Sequence, residues 1–196
     1  MQSTLIAGPV ATSPARAAGK AKRHYDPGAT SEWYTPSKYI EAARAAMGGI
    51  DLDPASCAEA NRVVQAAAYF DRSADGLSRE WWGRVWLNPP YSGEGGKRQL
   101  GLAGKWATKL LAEYRAGRVE QAVMLVNLSA AYQPAFQAVA RVGAVCMVDH
   151  RIRFVGATGQ SDRPTQANML LYLGDQRRQF AAEFGCFGVV LKAVQT

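Results

Sequence analysis

A chain of 196 residues with 48% hydrophobic and 20% charged residues is long enough for one domain with a sizeable core and too apolar for wholesale disorder. Its 23 Lys and Arg against 16 Asp and Glu give a net charge of +7, which favours a polyanionic partner and is equally consistent with simple solubility. Cys57, Cys146 and Cys186 stand singly, and His24 and His150 are the only histidines, so neither a zinc site nor a disulfide framework is expected. The first ten residues lack a signal-peptide layout, and the longest later apolar run, 122–126, is too short to span a bilayer. These features predict a cytoplasmic protein in a reducing compartment, with no metal and no membrane partner.

Residues 1–30 form an arm rich in Ala, Gly, Ser and Pro, made basic by Arg16, Lys20, Lys22 and Arg23. It reads either as a weakly selected tail or as a DNA-binding arm. Residues 31–196 read as a single domain without internal repeats. Thr35 and Pro36 open a helix, with Thr35 as cap and Pro36 at the first helical position, and Gly48-Gly49 end it after residue 47. A buried strand is predicted over 49–53, a helix over 58–67, a brief strand over 68–70 and a strand over 84–88. A helix over 99–115 ends at Gly117 and leads into a strand over 121–127. A helix over 135–142, a strand over 144–149, a strand over 167–173, a short helix over 175–184 and a strand over 187–194 complete the chain. Strand-helix alternation closed by a strand pair predicts an α/β domain whose mostly parallel sheet has an antiparallel edge.

The most informative residues are Asn88-Pro89-Pro90-Tyr91, which follow the apolar strand. Open α/β sheets bind ligands at the carboxyl ends of their strands. The prolines fix their own φ angles and bias the preceding residues toward extended geometry, which holds the Asn88 side chain and the nearby carbonyls still. Having no N–H, Pro89 and Pro90 leave a turn of acceptors beside an aromatic ring, suited to a planar substrate bearing an amino group. A plain proline-rich loop is the alternative.

Upstream lie Glu32-Trp33-Tyr34-Thr35-Pro36, Ile50-Asp51-Leu52-Asp53-Pro54-Ala55, Asp75-Gly76-Leu77 and either Trp81 or Trp82. Together with Asn88 to Tyr91, these blocks resemble, in order, the phage-type DNA N-6-adenine methyltransferase (Dam) family. The resemblance extends over roughly residues 31 to 173. It implies a Rossmann-like methyltransferase fold, S-adenosylmethionine as cofactor, double-stranded DNA as substrate and a phage or prophage origin. Given the short stretch between Asp53 and Asn88, the first half of that fold should be abbreviated.

On this resemblance, Asn88 and the Pro89 carbonyl accept hydrogen bonds from adenine N6, and Tyr91 stacks on the base, with Pro90 completing the catalytic turn. Asp53, Pro54 and Ala55 correspond to the block where the first strand meets the cofactor, although Ser56 to Ala60 lack the usual glycine loop. Trp33, Thr35 and Pro36 correspond to the block that closes over the methionine end; helix capping and core packing would explain them equally. An acidic residue about 20 positions past the first strand commonly holds a ribose. Asp71 and Asp75 both qualify, and each is also an ordinary turn former. Lys97 and Arg98, in a glycine-rich loop, and Arg151, Arg153 and Arg163 are the candidate DNA contacts. Alternation places Arg151 and Arg153 on one face and Phe154 on the other. His150 reads as structural and Trp106 as core. The rival readings are the same chemistry on a protein glutamine or on RNA, and an inactive DNA-binding module of the same fold.

Overall fold

The computed structural model describes residues 33–91, 101–156 and 166–192. The basic arm, Lys97, Arg98 and Arg163 lie outside the described residues. In chain order the elements are β1 (Trp33–Tyr34), α1 (Ser37–Met47), β2 (Leu52–Asp53), α2 (Ala58–Val64), β3 (Ala68–Tyr69), β4 (Gly83–Leu87), α3 (Leu102–Arg115), β5 (Val119–Asn127), α4 (Pro134–Val142), β6 (Ala144–Val148), β7 (Val155–Gly156), β8 (Asn168–Leu173), α5 (Arg177–Phe184) and β9 (Gly188–Lys192). A single 3-10 turn, Leu128–Ala130, follows β5.

Seven strands form one mixed sheet in the order β3-β2-β4-β5-β8-β6-β9, and β1 pairs with β7 in a separate two-stranded ribbon. Strands β3, β2, β4 and β5 are parallel neighbours, whereas β8 is antiparallel to both β5 and β6, and β9 is antiparallel to β6. Among the described residues, five helices and a seven-stranded mixed sheet are compatible with a methyltransferase-like fold. The expected antiparallel edge is present at β9, but the other closing strand, β8, is inserted between β5 and β6 with all six residues buried. Its run Asn168-Met-Leu-Leu-Tyr-Leu is apolar on both faces after its first residue, as an interior strand must be and an edge strand need not be.

Side-chain alternation divides the core into two layers. Trp86, Val123, Leu125, Leu170 and Tyr172 face α1 and α5, with Tyr39, Ile40, Ala43, Phe180 and Phe184. Val85, Leu87, Ala122, Met124, Val126, Leu171 and Leu173 face α3 and α4, with Trp106, Ala107, Leu110, Phe136 and Val139. Trp106 is thus core, as expected. The segment between β3 and β4 contains no helix. In place of a further helical layer, Trp81 is fully buried and stacks on Trp106 with ring centroids 5.7 Å apart.

Several boundaries differ from those expected. Helix α2 stops at Val64, because Gln65 takes a left-handed conformation with φ 49° and donates its N–H to the Asn61 carbonyl. Pro36 is itself the N-cap, at φ −57° and ψ 140°, and no side chain caps the helix. Thr35 therefore does not cap α1; its hydroxyl is engaged elsewhere.

Candidate active site at the carboxyl edge of the parallel strands

Leu52 of β2 lies opposite Val85 of β4, so the two strands emerge side by side, and Asp53 and Asn88 arrive at the same edge of the sheet. Strand β3 joins them, with Asp53 opposite Tyr69. The chain past each strand is stitched to its neighbour: Phe70 N–H donates to the Asp53 carbonyl at 3.0 Å, and Ser56 N–H to the Phe70 carbonyl at 2.9 Å.

Asp53 is 3% exposed. Its Oδ1 accepts the Ala55 N–H at 3.2 Å, and no cation pairs with it among the described residues. Burial pushes its carboxyl up to about 7 against the lowering pull of the Ala55 N–H and the adjacent Ser56 hydroxyl. The buried Ser56 Oγ lies beside it without a full hydrogen bond to any described residue. Pro54 is held from behind by Gly76, where a Cβ would collide with the Pro54 carbonyl oxygen and crowd Trp106. Trp81 Nε1 donates to the Gly76 carbonyl at 2.7 Å. The Asp75-Gly76-Leu77 turn and Trp81 thus brace the Asp53 loop.

The two ribose candidates differ in their surroundings. Asp71 follows β3 at the same edge, and its Oδ1 accepts the Ser73 hydroxyl at 2.7 Å and the Ala74 N–H at 2.9 Å. Those hydrogen bonds hold its carboxyl below the ordinary carboxylate range. Asp75 is exposed and left-handed at φ 47°, and its carbonyl accepts the Ser78 N–H at 2.9 Å. Both are turn formers here. Asp71 alone directly follows a strand of the site edge.

Asn88 is half-buried at the end of β4, Pro89 is buried and Pro90 is exposed. Asn88 Nδ2 donates to Thr35 Oγ1 at 3.3 Å, joining two blocks far apart in sequence. Tyr91, packed against the core beneath α3, accepts the Asn127 N–H on its hydroxyl at 2.8 Å. Burial raises the Tyr91 hydroxyl well above its ordinary range, so it remains protonated and the ring is tethered to the end of β5.

The Trp33 to Pro36 block reaches the edge through the ribbon, in which Trp33 pairs with Gly156 and Tyr34 with Val155. Cys57 Sγ lies 3.9 Å from the Tyr34 hydroxyl, so the same block touches the chain just beyond Asp53. Thr35 is buried at 8% exposure, and Trp33 is 44% exposed. The segment leading into β7 alternates as expected: Arg151 and Arg153 are exposed, Ile152 is buried and Phe154 is half-buried. The ribbon therefore sets the arginine segment beside the Trp33 block. His150 is a bracket, with Nε2 2.7 Å from the Tyr39 hydroxyl and Nδ1 2.6 Å from Asp149 Oδ1.

Sequence reasoning missed Ser56 and the Asn127–Asn168 pair, in which Asn168 Nδ2 donates to Asn127 Oδ1 at 3.2 Å. Asn168 is 2% exposed and its own Oδ1 has no partner among the described residues. The available signal was an asparagine at the start of an otherwise apolar run. Among the described residues no cluster of His, Cys, Asp and Glu could hold a metal ion, and no helix is long and apolar enough to cross a membrane.

The edge thus offers one buried carboxyl without a counter-ion among the described residues, a buried hydroxyl beside it, and the Asn88 amide and Pro89 carbonyl on a proline turn whose tyrosine is tethered to the end of β5. A family model described as DNA N-6-adenine-methyltransferase (Dam) matches residues 25–193. No curated protein and no solved structure matches the chain.

Proposed function

Because the chain belongs to the DNA N-6-adenine-methyltransferase (Dam) family, we propose that it transfers a methyl group from S-adenosylmethionine to the N6 amino group of adenine within a short recognition sequence in double-stranded DNA. The observation that carries this reading is the parallel pairing of β2 and β4, which brings Asp53 and the Asn88 turn to one edge. We read the parallel half of the sheet as an abbreviated Rossmann-like cofactor half, and the chain as a cytoplasmic enzyme of phage or prophage origin. Protection of DNA against restriction is the role that origin suggests.

The residues fit the cofactor. Asp53 would receive its ammonium group, which supplies the missing counter-ion, and the unpartnered Ser56 hydroxyl can donate to its carboxylate. Trp33, Thr35 and Pro36 would close over the methionine end, Pro54 and Ala55 would line its floor, and Asp71, with Asp75 as the rival, would meet the ribose. When bound, this group supplies an electrophilic methyl on a sulfonium centre.

This chain's residues do the rest. The target adenine leaves the duplex, at a cost of a few kcal/mol, and lies against Tyr91. The Asn88 Oδ1 and the Pro89 carbonyl accept the two N6 hydrogens, which turns the nitrogen lone pair out of conjugation with the ring and toward the methyl. With that group bound, its methyl would pass to N6 as the C–S bond breaks, and the Asn88 Oδ1 and Pro89 carbonyl would lead the displaced N6 proton toward water. Arg151 and Arg153, with Lys97, Arg98 and Arg163 outside the described residues, would hold backbone phosphates.

The test is incubation with tritium-labelled S-adenosylmethionine and unmethylated duplex DNA, followed by nucleoside analysis. Label in N6-methyladenine is expected. Asn88→Ala should lower transfer about a hundred- to a thousandfold, the scale of losing one positioned hydrogen-bonding group, and leave DNA affinity nearly intact. Label in RNA or protein glutamine, but not in DNA, would replace the substrate. Absence of both transfer and cofactor binding would leave a DNA-binding module.

A further inference from the structure

We infer that Asn127 contacts the target base, its side-chain amide donating to a ring nitrogen beside N6, and that the buried Asn168 is the positioning residue behind it. The inference deepens the proposed adenine chemistry and rests on it.

Three neighbouring strands, β4, β5 and β8, each deliver an asparagine to one end of the sheet. Asn88 directly follows β4, Asn127 ends β5, and Asn168 opens the antiparallel β8 directly opposite Asn127. Alternation also puts all three on one face. Trp86, Leu125 and Leu170 each lie two residues from one of them, in the core layer under α1 and α5. The bond from Asn88 to Thr35, just before α1, agrees with that face. Leu87 lies opposite Met124, so Asn127 sits one strand over and two residues beyond Asn88. At ordinary strand spacing and rise their Cα atoms are about 8 Å apart, and one planar base can bridge two such side chains edge to edge.

Asn127 is held from two directions. Its N–H donates to the hydroxyl of Tyr91, three residues past Asn88, at 2.8 Å, and its Oδ1 accepts Asn168 Nδ2 at 3.2 Å. Asn168 is 2% exposed, and its own Oδ1 has no partner among the described residues. An amide buried with one end unmet is costly at the head of a strand whose other residues are apolar. Asn127 is half-buried, and the other end of its amide makes no bond among the described residues.

In the proposed chemistry Asn88 and the Pro89 carbonyl take both N6 hydrogens. The ring nitrogens on either side, N1 and N7, carry only lone pairs and call for a donor. The asparagine pair supplies one. Turning both amides over together preserves the bond between them, so the outcome does not depend on which way they point in the free protein. A ring nitrogen selects the arrangement with the Asn127 amide N–H outward and the Asn168 oxygen inward.

The test compares kcat/KM for methyl transfer to duplexes carrying adenine, 1-deazaadenine or 7-deazaadenine at the methylated position. Each analogue keeps N6 and replaces one ring nitrogen with C–H. The wild-type protein should lose about tenfold on one of the two analogues, the scale of one hydrogen bond. Asn127→Ala should lose about tenfold on adenine and treat adenine and that analogue within about twofold of each other. Asn127→Asp keeps the shape but, when ionised, sets an oxygen against the ring lone pair, so it should use the analogue at least as well as adenine. That variant carries the test if the alanine variant fails to fold. Asn168→Ala should shrink the wild-type ratio to about threefold; an unshrunk ratio would overturn its positioning role. A purely structural role for Asn127 would lower transfer to all three duplexes alike, and ratios left unchanged by both Asn127 variants would overturn the contact. So would a wild-type protein equally active on all three. A wild-type protein inert on plain adenine would instead overturn the proposed function, and the base contact with it.

Discussion

Asp51 immediately precedes the short strand β2 and Asp53 ends it, and the chain treats the two in opposite ways. At the amino end, Asp51 is clamped by Arg84, whose Nε and Nη2 reach its two oxygens at 2.8 and 2.7 Å while the Arg84 backbone N–H adds a third bond at 2.8 Å. Arg84 Nη1 also donates to the Gly48 carbonyl at 2.6 Å. Gly49 approaches so closely that a Cβ would lie 2.7 Å from that nitrogen. The bonds from Arg84 hold the Asp51 carboxyl below its ordinary range against a smaller effect of burial. At the carboxyl end, Asp53 is more deeply buried, has no cation, and is raised to about 7. Satisfied charge locks a fold together, whereas unsatisfied charge at the ligand-binding edge of a sheet is capacity held for a ligand.

The largest effect that would sharpen this contrast is the opposite response of the two carboxyls to pH. The Asp53 carboxyl rises on folding from 3.8 to about 7, so the folded state holds a proton that the unfolded chain releases. Stability from this group is complete below the unfolded value and declines as pH rises, with the loss finished above about 7. Between pH 5 and 8 the cofactor-free protein should lose on the order of 2–3 kcal/mol through Asp53. Asp53→Asn should remove that slope and be the more stable protein at pH 8, as read from urea unfolding. Parallel slopes in the two proteins would break the contrast.

Ligand binding should show the same proton from the other side. If Asp53 receives the cofactor's ammonium, it must ionise on binding. The dissociation constant for S-adenosylhomocysteine, which keeps that ammonium, should then rise about tenfold per pH unit below 7 and level off above it. Calorimetry in two buffers of different ionisation enthalpy would count the released proton. A smaller effect is expected from Asp51→Asn, whose parent carboxyl is lowered on folding and therefore contributes above its ordinary pKa. With both partners of the clamp about a third exposed, about 1–2 kcal/mol should be lost at pH 7, and the turnover of folded protein should stay within about threefold of wild type. A large fall in turnover without loss of stability would place Asp51 in the site after all.

Much of this architecture was legible because its strands and helices carry strong patterns. The strands predicted near residues 84–88, 121–127 and 167–173 were recognisable from apolar runs, and α1 from its proline start and its Gly48 stop, where φ is 78°. The position of β8 was not legible. A strand apolar on both faces announces burial but not its neighbours, and the neighbours are what make it antiparallel inside the sheet. The two-residue ribbon strands β1 and β7 are too short for any periodicity, yet their pairing is what carries Thr35 to the Asn88 turn. Likewise Thr35 before a proline looks like a helix cap because the cap and the hydroxyl partner of Asn88 require the same side chain. At the candidate site, the family-like blocks pointed to Asn88 and Asp53, which the strand pairing brings to one edge, while the Ser56 Oγ and Asn168 Oδ1 became visible only as buried polar atoms.

The smallest effect concerns the tyrosine of the Asn88 turn, whose hydroxyl is satisfied by the fold. Tyr91 was expected as a stacking surface alone, but its hydroxyl accepts the Asn127 N–H at 2.8 Å, tying the turn after β4 to the end of β5. That bond fixes the hydroxyl end of a ring that packs against the core. Tyr91→Phe should therefore keep the stacking surface and lose one bond, leaving the Asn127 N–H unpaired, at about 1 kcal/mol of stability and no more than about fivefold in turnover. Tyr91→Ala removes the surface as well. It should cost at least ten times more turnover than the phenylalanine variant, since stacking on a base contributes about 1–3 kcal/mol and the unsupported base would also lose its alignment with Asn88. Measuring both variants under single-turnover conditions separates ring from hydroxyl. If Tyr91→Phe falls as far as Tyr91→Ala, the tether to β5 rather than the ring is what the turn requires, and the carboxyl edge is as dependent on internal satisfaction as the Asp51–Arg84 end.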